Sequence, residues 1–369
     1  MGDKPFLCHF VDEVNSSSIN KRPNTDFRNF LANDLRILKP SEKVSNKIVL
    51  ILARRLDRES DYVGIGLMRK GMDYVRVDIE DIPTLLKVRY SVKEGVRSIK
   101  FILDEREIDV EDVSAVYLRN FEIGASKFRG DKLSKIFSFQ QWDDAYNILQ
   151  DSLKCAWVNN VSATRVANDR VQQLSVANAV GFNIPESIIT NDPKTARDFY
   201  YTHRGRVVIK ALHHHGVQVG NRLYSMYTHK MTDKDLSYLN DLVHAPCVLQ
   251  EKVPKKSDLR ITVVGKQIFA VEIDSMSTPR GRDDLHRCRL VELPKKLVEL
   301  NKSDQDKCIK LLDSFGLQYG AIDLVRDGSD RLIFLEINPT GDWLWIEQHT
   351  GLSITEAVAD LLENCATAR

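Results

Sequence analysis

The chain has 369 residues, of which 43% are hydrophobic and 28% charged, which is typical of a globular protein with two or three domains and argues against disorder. The 53 basic residues balance the 52 acidic ones, so net charge gives no reason to expect nucleic acid or a membrane as a partner. The chain shows no signal segment and no apolar run of about 18 residues, so we expect a cytoplasmic protein. Its six cysteines form no CxxC pair, which favours reduced thiols.

The N-terminal third divides into an extension and an α/β domain. Residues 1–46 mix polar and short apolar segments without sustained periodicity, so we expect an extension with some docked segments. From residue 47 the pattern sharpens: KIVLILA predicts a buried strand, ESDYVGIGLMRKG a helix that ends at Gly71, and DYVRVDIED a second strand. Further β-rich stretches, the strand SAVYLRN and a helix through FQQWDDAYNILQDSLK complete a domain over residues 47–154.

The remaining chain predicts two further domains. Residues 155–246 begin with one amphipathic helix, ATRVANDRVQQLSVANAVG, that stops at Gly181, and continue with the strands FNIPESIIT, RVVIKAL and NRLYSMYT. Residues 247–369 contain the strands CVLQEKV, DLRITVVG, QIFAVEIDS, YGAIDLVRD and RLIFLEIN, with helices near 303–315 and 353–363.

Polar residues stand at the ends of three of these strands, namely Lys210, Glu251 and the pair Glu336 and Asn338, and the strand YGAIDLV supplies Asp323. A lysine at a strand end can neutralise phosphate oxygens, and the strand end after Glu251 can offer backbone groups to an adenine edge. Carboxylate and amide oxygens suit magnesium. Because strand residues alternate, Glu336 and Asn338 should face one pocket while the residue between them turns to the core. Together these residues predict a nucleotide site with magnesium.

The order of these motifs, from VVIK and QEKV through DLR and AID to EINPTG, resembles the ATP-grasp superfamily over roughly residues 160–365. The ending FLEINPTGDWLWIEQHTGLSITEAVADLL and the early segment VLILARRLDRESDYVGIGLMRKGMDYVRVDIEDIP are similar to the graspetide synthetases, which build microviridin-type side-chain macrocycles. The resemblance implies an α/β pre-ATP-grasp domain followed by the α+β domains of the ATP-grasp fold.

The resemblance also implies a set of nucleotide contacts. Lys210 would hold the α- and β-phosphates of ATP, and Glu251 would hold the adenine amino group. Lys252 and Val253 would contribute backbone contacts, and Asp258 is our expectation for the ribose.

The same resemblance implies the residues of the chemical step. Arg260 and Arg287 would meet the γ-phosphate and the acyl-phosphate formed from it, while Asp323, Glu336 and Asn338 would hold two magnesium ions. A carboxylate attacks an anionic phosphate only if positive charge offsets the repulsion, which explains why cations and metal ligands are required and a protein nucleophile is not.

The sequence departs from the family pattern in three places. Arg170, in NDRVQQL, stands where a phosphate-contacting lysine is expected, and it keeps the charge. The loop after Lys210 reads HHHG rather than being rich in Gly and Ser; three adjacent histidines do not converge on one ion, so we expect a mobile phosphate lid. Residues 1–46 have no counterpart. Trp343 and Trp345 are expected in the core rather than as a substrate platform.

In that family ATP phosphorylates an Asp or Glu side chain of a precursor peptide, and a Ser/Thr hydroxyl or Lys amine of the peptide displaces phosphate. The resemblance therefore implies ATP, magnesium, a precursor peptide with a leader that the first domain helps to bind, and a homodimer. Alternatives stay open because a fold does not fix a substrate: ligation of free amino acids or a peptide terminus, a kinase, or a non-catalytic ATP-binding protein. The complete acidic trio argues against the last alternative.

Overall fold

The computed structural model describes residues 11–14, 47–103, 105–119, 123–124, 128–212, 217–219, 222–279, 281–282, 284–288 and 290–368. They form mixed α/β units, in agreement with the predicted fold class. None of the described helices combines the length and the apolar character that a membrane span requires.

The N-terminal unit contains a parallel sheet, a small antiparallel sheet and two helices. Its elements are β2 (Ile48–Ala53), α1 (Arg58–Arg69), β3 (Asp73–Asp78), β4 (Lys87–Lys93), β5 (Val96–Leu103), β6 (Arg106–Asp109), β7 (Val113–Leu118), α2 (Lys132–Ser152) and β8 (Ala156–Val158). The parallel sheet has the order β3-β2-β7-β8, and β4, β5 and β6 form the antiparallel sheet. Strand β8 follows the boundary that we expected at 154, so this sheet extends to Val158.

Strand β2 is buried along its whole length because both faces of its sheet are covered. Val49 and Ile51 face one hydrophobic core, whereas Leu50 and Leu52 face another, as the alternation of a strand requires. Helix α1 begins at its cap Asp57, whose carboxylate accepts a hydrogen bond from a first-turn backbone N–H. The predicted strand and helix at the start of the domain are therefore confirmed.

Two short helices stand where the sequence predicted one. They are α3 (Val161–Ala167) and α4 (Arg170–Ala179). The single-helix prediction was wrong because the carboxylate of Asp169 caps a new helix, accepting hydrogen bonds from two backbone N–H groups of its first turn at 2.8 and 3.1 Å. Ala167 and Ala177 pack into the core of the C-terminal sheet. These two helices therefore pack with the C-terminal unit, although the sequence assigned them to the central domain that begins at residue 155.

The central unit is a four-stranded sheet with helices on one side and a hairpin. Its elements are β9 (Ser187–Thr190), α5 (Pro193–Thr202), β10 (Val207–Lys210), β11 (Val217–Val219), β12 (Arg222–Met226), β13 (His229–Lys230), a 3-10 helix (Asp233–His244) and β14 (Cys247–Glu251). The sheet has the order β13-β10-β14-β9. Its apolar core is its own, built around residues such as Phe199, Leu239 and Leu249.

The N-terminal extension contributes a strand, β1 (Val11–Val14). It pairs antiparallel with β12, with Val11 opposite Met226 and Val14 opposite Leu223, and so extends the β11–β12 hairpin to three strands. The expected docking of part of residues 1–46 is confirmed at this strand.

The C-terminal unit is a five-stranded antiparallel sheet with three helices. Its elements are β15 (Lys255–Val264), β16 (Gln267–Ile273), β17 (Lys295–Leu297), α6 (Lys302–Phe315), β18 (Tyr319–Asp327), β19 (Leu332–Asn338), α7 (Leu344–Thr350) and α8 (Ile354–Thr367). The sheet has the order β17-β16-β15-β18-β19.

One hydrophobic core joins the N-terminal and C-terminal units. Val49 and Ile51 of β2 share it with Trp343, Val358 and Leu362. Helices α1 and α8 approach so closely that a Cβ atom on Gly66 of α1 would lie 2.9 Å from a Cβ atom of α8. Trp343 is fully buried, which confirms its predicted place in the core.

Candidate functional site

A cleft lies between the central sheet and the C-terminal sheet. Seven of the residues that the sequence singled out line it: Lys210, Glu251, Lys252, Val253, Asp258, Asp323 and Glu336. Arg170 lines an adjoining, more apolar cavity that shares Lys210, Gln250 and Leu335 with the cleft. The strand ends identified in the sequence are thus brought together by the meeting of two sheets.

Three charged residues lie side by side on neighbouring strands of the C-terminal sheet, and two of them, Asp323 and Glu336, line the cleft. Arg260 on β15 is opposite Asp323 on β18, which in turn is opposite Glu336 on β19. The register shifts next to this row, so Leu335 is an extra residue in β19 and lines the cleft together with Glu336. Ile337 turns into the core, as the alternation of the strand predicted.

Each of the two carboxylates has an arginine partner. Arg260 Nε lies 3.1 Å from Asp323 Oδ1, and Arg170 forms a close ion pair with Glu336. Arg260 is buried, and its Nη1 has no hydrogen-bond partner among the described residues, so it retains a donor for an anion. Two facing carboxylates with a nearby amide are a hard-oxygen donor set that fits magnesium.

Asn338 lies at the exposed end of β19, two residues beyond Glu336. Its Oδ1 accepts a hydrogen bond from the Thr340 backbone N–H at 3.0 Å. It is not among the described residues that line the cleft, so it meets the site at its rim, on the strand face that carries Glu336.

Lys210 on the central wall is held by its neighbours. Its Nζ donates to Gln250 Oε1 at 2.7 Å, and Gln250 Nε2 donates to Ser187 Oγ at 2.9 Å. Burial lowers the pKa of Lys210, and the negative charge of Glu336 opposes that shift. An anion beside Lys210 would stabilise its charged form in the same way, so the position suits a phosphate.

The end of β14 shows which backbone groups are already used. Glu251 N–H donates to Glu186 O and Lys252 N–H donates to Arg206 O, both at 2.8 Å. Val253 N–H makes no backbone hydrogen bond within the part of the chain that the structure describes. Of the backbone donors assigned to adenine, the one at Val253 is therefore the one available to a base edge.

Asp258 is more constrained than the sequence suggested. Its Oδ2 accepts a hydrogen bond from Lys255 Nζ at 2.8 Å and another from Ser275 Oγ. Lys255 also donates to Gly281 O at 2.8 Å. Lys255 is therefore largely buried and braces a buried carboxylate. The ribose role of Asp258 stays a prediction.

Arg287 lies away from the row of charges. Its guanidinium carbon lies 5.4 Å from the ring centroid of Tyr227, and it is not among the described residues lining the cleft. Its backbone N–H donates to Asp284 O at 3.2 Å, and Asp284 does line the cleft. The predicted lid residues, His213–His215, lie outside the described residues.

The architecture matches known proteins. The model of the MvdD pre-ATP-grasp domain matches residues 48–165. A Chryseobacterium gregarium RiPP-associated ATP-grasp ligase, solved with ADP and a leader and core peptide, superimposes with a TM-score of 0.79 at 26% identity, covering 86% of this chain and 97% of that one. The macrocyclase MdnC from Microcystis aeruginosa MRC, bound with the precursor peptide MdnA, gives a TM-score of 0.76 at 27% identity, covering 86% and 99%.

The chain resembles the ATP-grasp superfamily and, within it, the graspetide-type RiPP ligases represented by these structures. It is an ATP-grasp ligase. A curated relative, a probable alpha-L-glutamate ligase from Shewanella baltica, is 27% identical over 218 residues, which cover 57% of this chain and 68% of the relative.

Sequence reasoning missed several residues of this ATP-grasp ligase. Gln250 holds Lys210, and strand alternation could have found it because the two lie on neighbouring strands of one sheet. Trp345 packs against the edge of the core, as expected, but it stays partly exposed, and the Arg260 guanidinium carbon and Lys295 Nζ each lie 6.0 Å from its ring centroid. Arg119, buried between the N-terminal and C-terminal units, gave no signal in the sequence.

Proposed function

We propose that this ATP-grasp ligase activates Asp or Glu side chains of a ribosomally made precursor peptide with ATP and joins them to Ser/Thr hydroxyls or Lys amines of the same peptide. The observation that carries the proposal is that Asp323 and Glu336, which lie beside Arg260 on neighbouring strands, line the same cleft as Lys210. In the proposed scheme these cations and metal ligands would offset the negative charge that accumulates during phosphoryl transfer.

The chemistry has two displacements. A carboxylate oxygen of the peptide attacks the γ-phosphorus of ATP, the bond between that phosphorus and the β–γ bridging oxygen breaks, and ADP leaves. A hydroxyl oxygen or amine nitrogen then attacks the carbonyl carbon of the acyl-phosphate. Phosphate leaves with the bonding electron pair and the nucleophile loses its proton, so the products are an ester or amide, ADP and phosphate.

The residues of the cleft divide this work between its walls. Lys210 and the Val253 backbone hold the nucleotide, with Glu251 and Asp258 proposed for its adenine and ribose, and Arg170 for its phosphates. Asp323, Glu336 and Asn338 would hold two magnesium ions, which offset the charge of the phosphates when bound.

Arg260 orients the reacting groups in this scheme. Its Nη1 is buried and lacks a hydrogen-bond partner among the described residues, and we propose that it donates to the transferring phosphoryl group once ATP and the peptide are bound. For Arg287 we propose contact with the acyl-phosphate; its place over Tyr227, beside the cleft-lining Asp284, gives weaker support.

A peptide substrate is supported by the extent of the similarity. The match covers 97% and 99% of the two RiPP-related structures, which were solved with a leader and core peptide and with a precursor peptide, respectively. The N-terminal unit matches a domain model typical of that group. We propose that this unit helps to bind a leader and that the chain forms a homodimer, which light scattering at micromolar concentration tests.

A second candidate is ligation of free amino acids. It is favoured by the similarity to probable alpha-L-glutamate ligases, which covers 57% of this chain. The N-terminal match to the pre-ATP-grasp domain weighs towards the peptide substrate, because it accounts for residues 48–165 as well.

Mass spectrometry distinguishes the two candidates. The full chain is incubated with ATP, magnesium and a candidate precursor peptide, and each link formed should lower the peptide mass by one water, with one ADP and one phosphate released. Glu336→Ala serves as the inactive control. ADP release that depends on free glutamate, without dehydrated peptide, would favour the second candidate and remove the first.

A further inference from the structure

We propose that Arg119, from the N-terminal unit, is a positioning residue for the metal-binding end of β19: it fixes the 339–342 loop that orients Asn338 and backs Arg260. This inference rests on the proposed ATP-dependent ligation. It assigns to the N-terminal unit a part in the catalytic frame, in addition to any role in peptide binding.

Arg119 is 1% exposed, and its guanidinium is almost saturated with acceptors. Nη1 donates to Thr340 O at 2.6 Å and to Gly341 O at 3.2 Å, while Nη2 donates to Asp342 Oδ1 at 2.6 Å. Nε donates to Asp57 Oδ1 at 3.3 Å. A planar fork with several fixed donors can satisfy three consecutive loop residues at once, and a lysine ammonium cannot do so with the same geometry.

The loop that Arg119 holds follows the proposed metal ligand directly. Thr340 N–H donates to Asn338 Oδ1 at 3.0 Å, so the peptide unit next to the one bonded by Arg119 orients the amide of Asn338. Asn159 Nδ2 donates to Pro339 O at 2.8 Å and fixes the start of the loop. The position of Asn338 oxygen therefore depends on a loop that is held from outside its own sheet.

The same loop supports Arg260. A Cβ atom on Gly341 would lie 2.5 Å from Ala321 Cβ and 3.3 Å from Arg260 Nη1, so the loop backbone occupies the space beside that arginine. Tyr319 Oη also donates to Gly341 O, at 2.6 Å. A loop displaced by the loss of Arg119 would loosen both the metal ligand and the arginine proposed for phosphoryl transfer.

The acidic residues around Arg119 are partners of its positive charge and do not form a second metal site. Asp57, Glu59 and Asp342 bring carboxylate oxygens within 4.8 Å of one another, and Arg119 donates to two of these residues. The guanidinium therefore takes the place that a cation would need. We assign no ion to this cluster.

The test measures metal binding without turnover. Arg119→Lys and Arg119→Met are made in the full chain, and binding of Mn²⁺ to the enzyme with ADP is followed by the EPR signal of free Mn²⁺. Loss of a residue that orients a metal ligand weakens metal affinity by about tenfold or more. We expect that loss in both variants, with ADP affinity in the absence of metal unchanged.

Arg76→Lys is the matched control. Arg76 lies in the same unit, is partly buried, and bonds Asp61 Oδ1 at 2.6 Å and Asp78 Oδ1 at 2.7 Å, away from the loop. It should leave Mn²⁺ binding unchanged. If Arg119→Met does not fold, Asp342→Ala removes one partner of Arg119 at a side chain that is 65% exposed, and it should weaken Mn²⁺ binding severalfold.

Two outcomes overturn the proposal. A folded Arg119→Lys protein with a lower melting temperature but wild-type Mn²⁺ affinity would show that Arg119 only joins the two units. A wild-type chain that binds ADP but no Mn²⁺ would overturn the proposed metal site first, and the role of Arg119 with it. Peptide specificity does not enter either measurement, so a wrong substrate would leave the test intact.

Discussion

The two walls of the cleft are built differently. The C-terminal wall shares a continuous hydrophobic core with the N-terminal unit, whereas the central wall has a core of its own drawn from residues between 188 and 249. Polar contacts also join the N-terminal and C-terminal units. Lys70, which directly follows α1, forms ion pairs with three carboxylates of α8, and Arg119 donates hydrogen bonds to the 339–342 loop.

The central wall meets the C-terminal unit through polar contacts near the cleft. Thr228 N–H donates to Asp284 Oδ2 at 2.6 Å, and Lys210 faces the carboxylates. The C-terminal wall is therefore packed rigidly against the N-terminal unit and carries the residues proposed for chemistry. The central wall has its own core and carries most of the proposed nucleotide contacts. A truncation beginning near residue 155 would remove a third of the buried residues of the shared core, so it cannot separate peptide binding from folding.

The largest effect on turnover is expected for substitutions of the proposed metal ligands in the C-terminal unit. Asp323→Ala, Glu336→Ala or Asn338→Ala should each lower turnover by on the order of a thousandfold, because each removes a proposed ligand for a metal that offsets phosphate charge. Initial rates of ADP release with the precursor peptide measure this. Asp330→Asn, an exposed carboxylate in the turn between β18 and β19, is the control and should keep full activity. Full activity of Glu336→Ala would remove the metal assignment.

Arg260→Lys tests the same wall with a smaller change. It keeps the charge but loses the fork, so we expect the rate constant to fall roughly tenfold to a thousandfold with little change in KM for ATP. Arg287→Lys should follow the same pattern with a smaller loss. Arg326→Lys, whose partner is Glu272 on the same sheet, is the control. If KM for ATP alone rises, the substituted arginine binds nucleotide and our role for it is wrong.

Core substitutions compare the walls directly. Leu67→Ala in the shared core and Leu239→Ala in the central core each empty a fully buried position, so each should cost about 2–5 kcal/mol of unfolding free energy. Amide hydrogen exchange should differ between them. Leu67→Ala should speed exchange in both β2 and α8, and Leu239→Ala only between β9 and β14. Identical exchange patterns would mean that the two cores unfold as one.

The smallest effect concerns pH at the junction. Burial, with the nearby charge of Asp342, raises the pKa of Glu59 to about 7 from 4.5, against the opposing charge of Arg119. The folded chain therefore retains a proton that the unfolded chain releases, so the wild type loses stability as pH rises from about 4.5 to about 7. Glu59→Gln stays neutral at every pH. Its free energy of unfolding, relative to that of the wild type, should therefore rise by on the order of 2 kcal/mol between about pH 4.5 and 7.

Urea denaturation at several pH values measures this difference. The exposed Glu111→Gln is the control for replacing a glutamate by glutamine elsewhere in the same unit. A Glu59→Gln difference that stays constant between about pH 4.5 and 7 would show that Glu59 titrates normally in the folded chain.

Local patterns in the sequence were sufficient to predict most helices and strands and several of the residues that line the cleft. Alternation in FLEIN predicted that Glu336 faces away from the core that holds Ile337, and the structure agrees. The same reasoning joined α3 and α4 into one helix, because the apolar period continues across Asp169 and only its capping hydrogen bonds begin a new helix. Arg170, at that new start, thereby reaches Glu336.

The sequence by itself determined which strands end in lysine, carboxylate and amide, since residue type and the two-residue period of a strand are local properties. Tertiary structure alone decided that Arg260 lies opposite Asp323, that Arg287 lies over Tyr227 away from that row, and that Arg119 reaches the 339–342 loop. The physical reason is distance along the chain. Arg119 and Thr340 are 221 residues apart, and only the shared packing of two units brings a buried donor to that carbonyl.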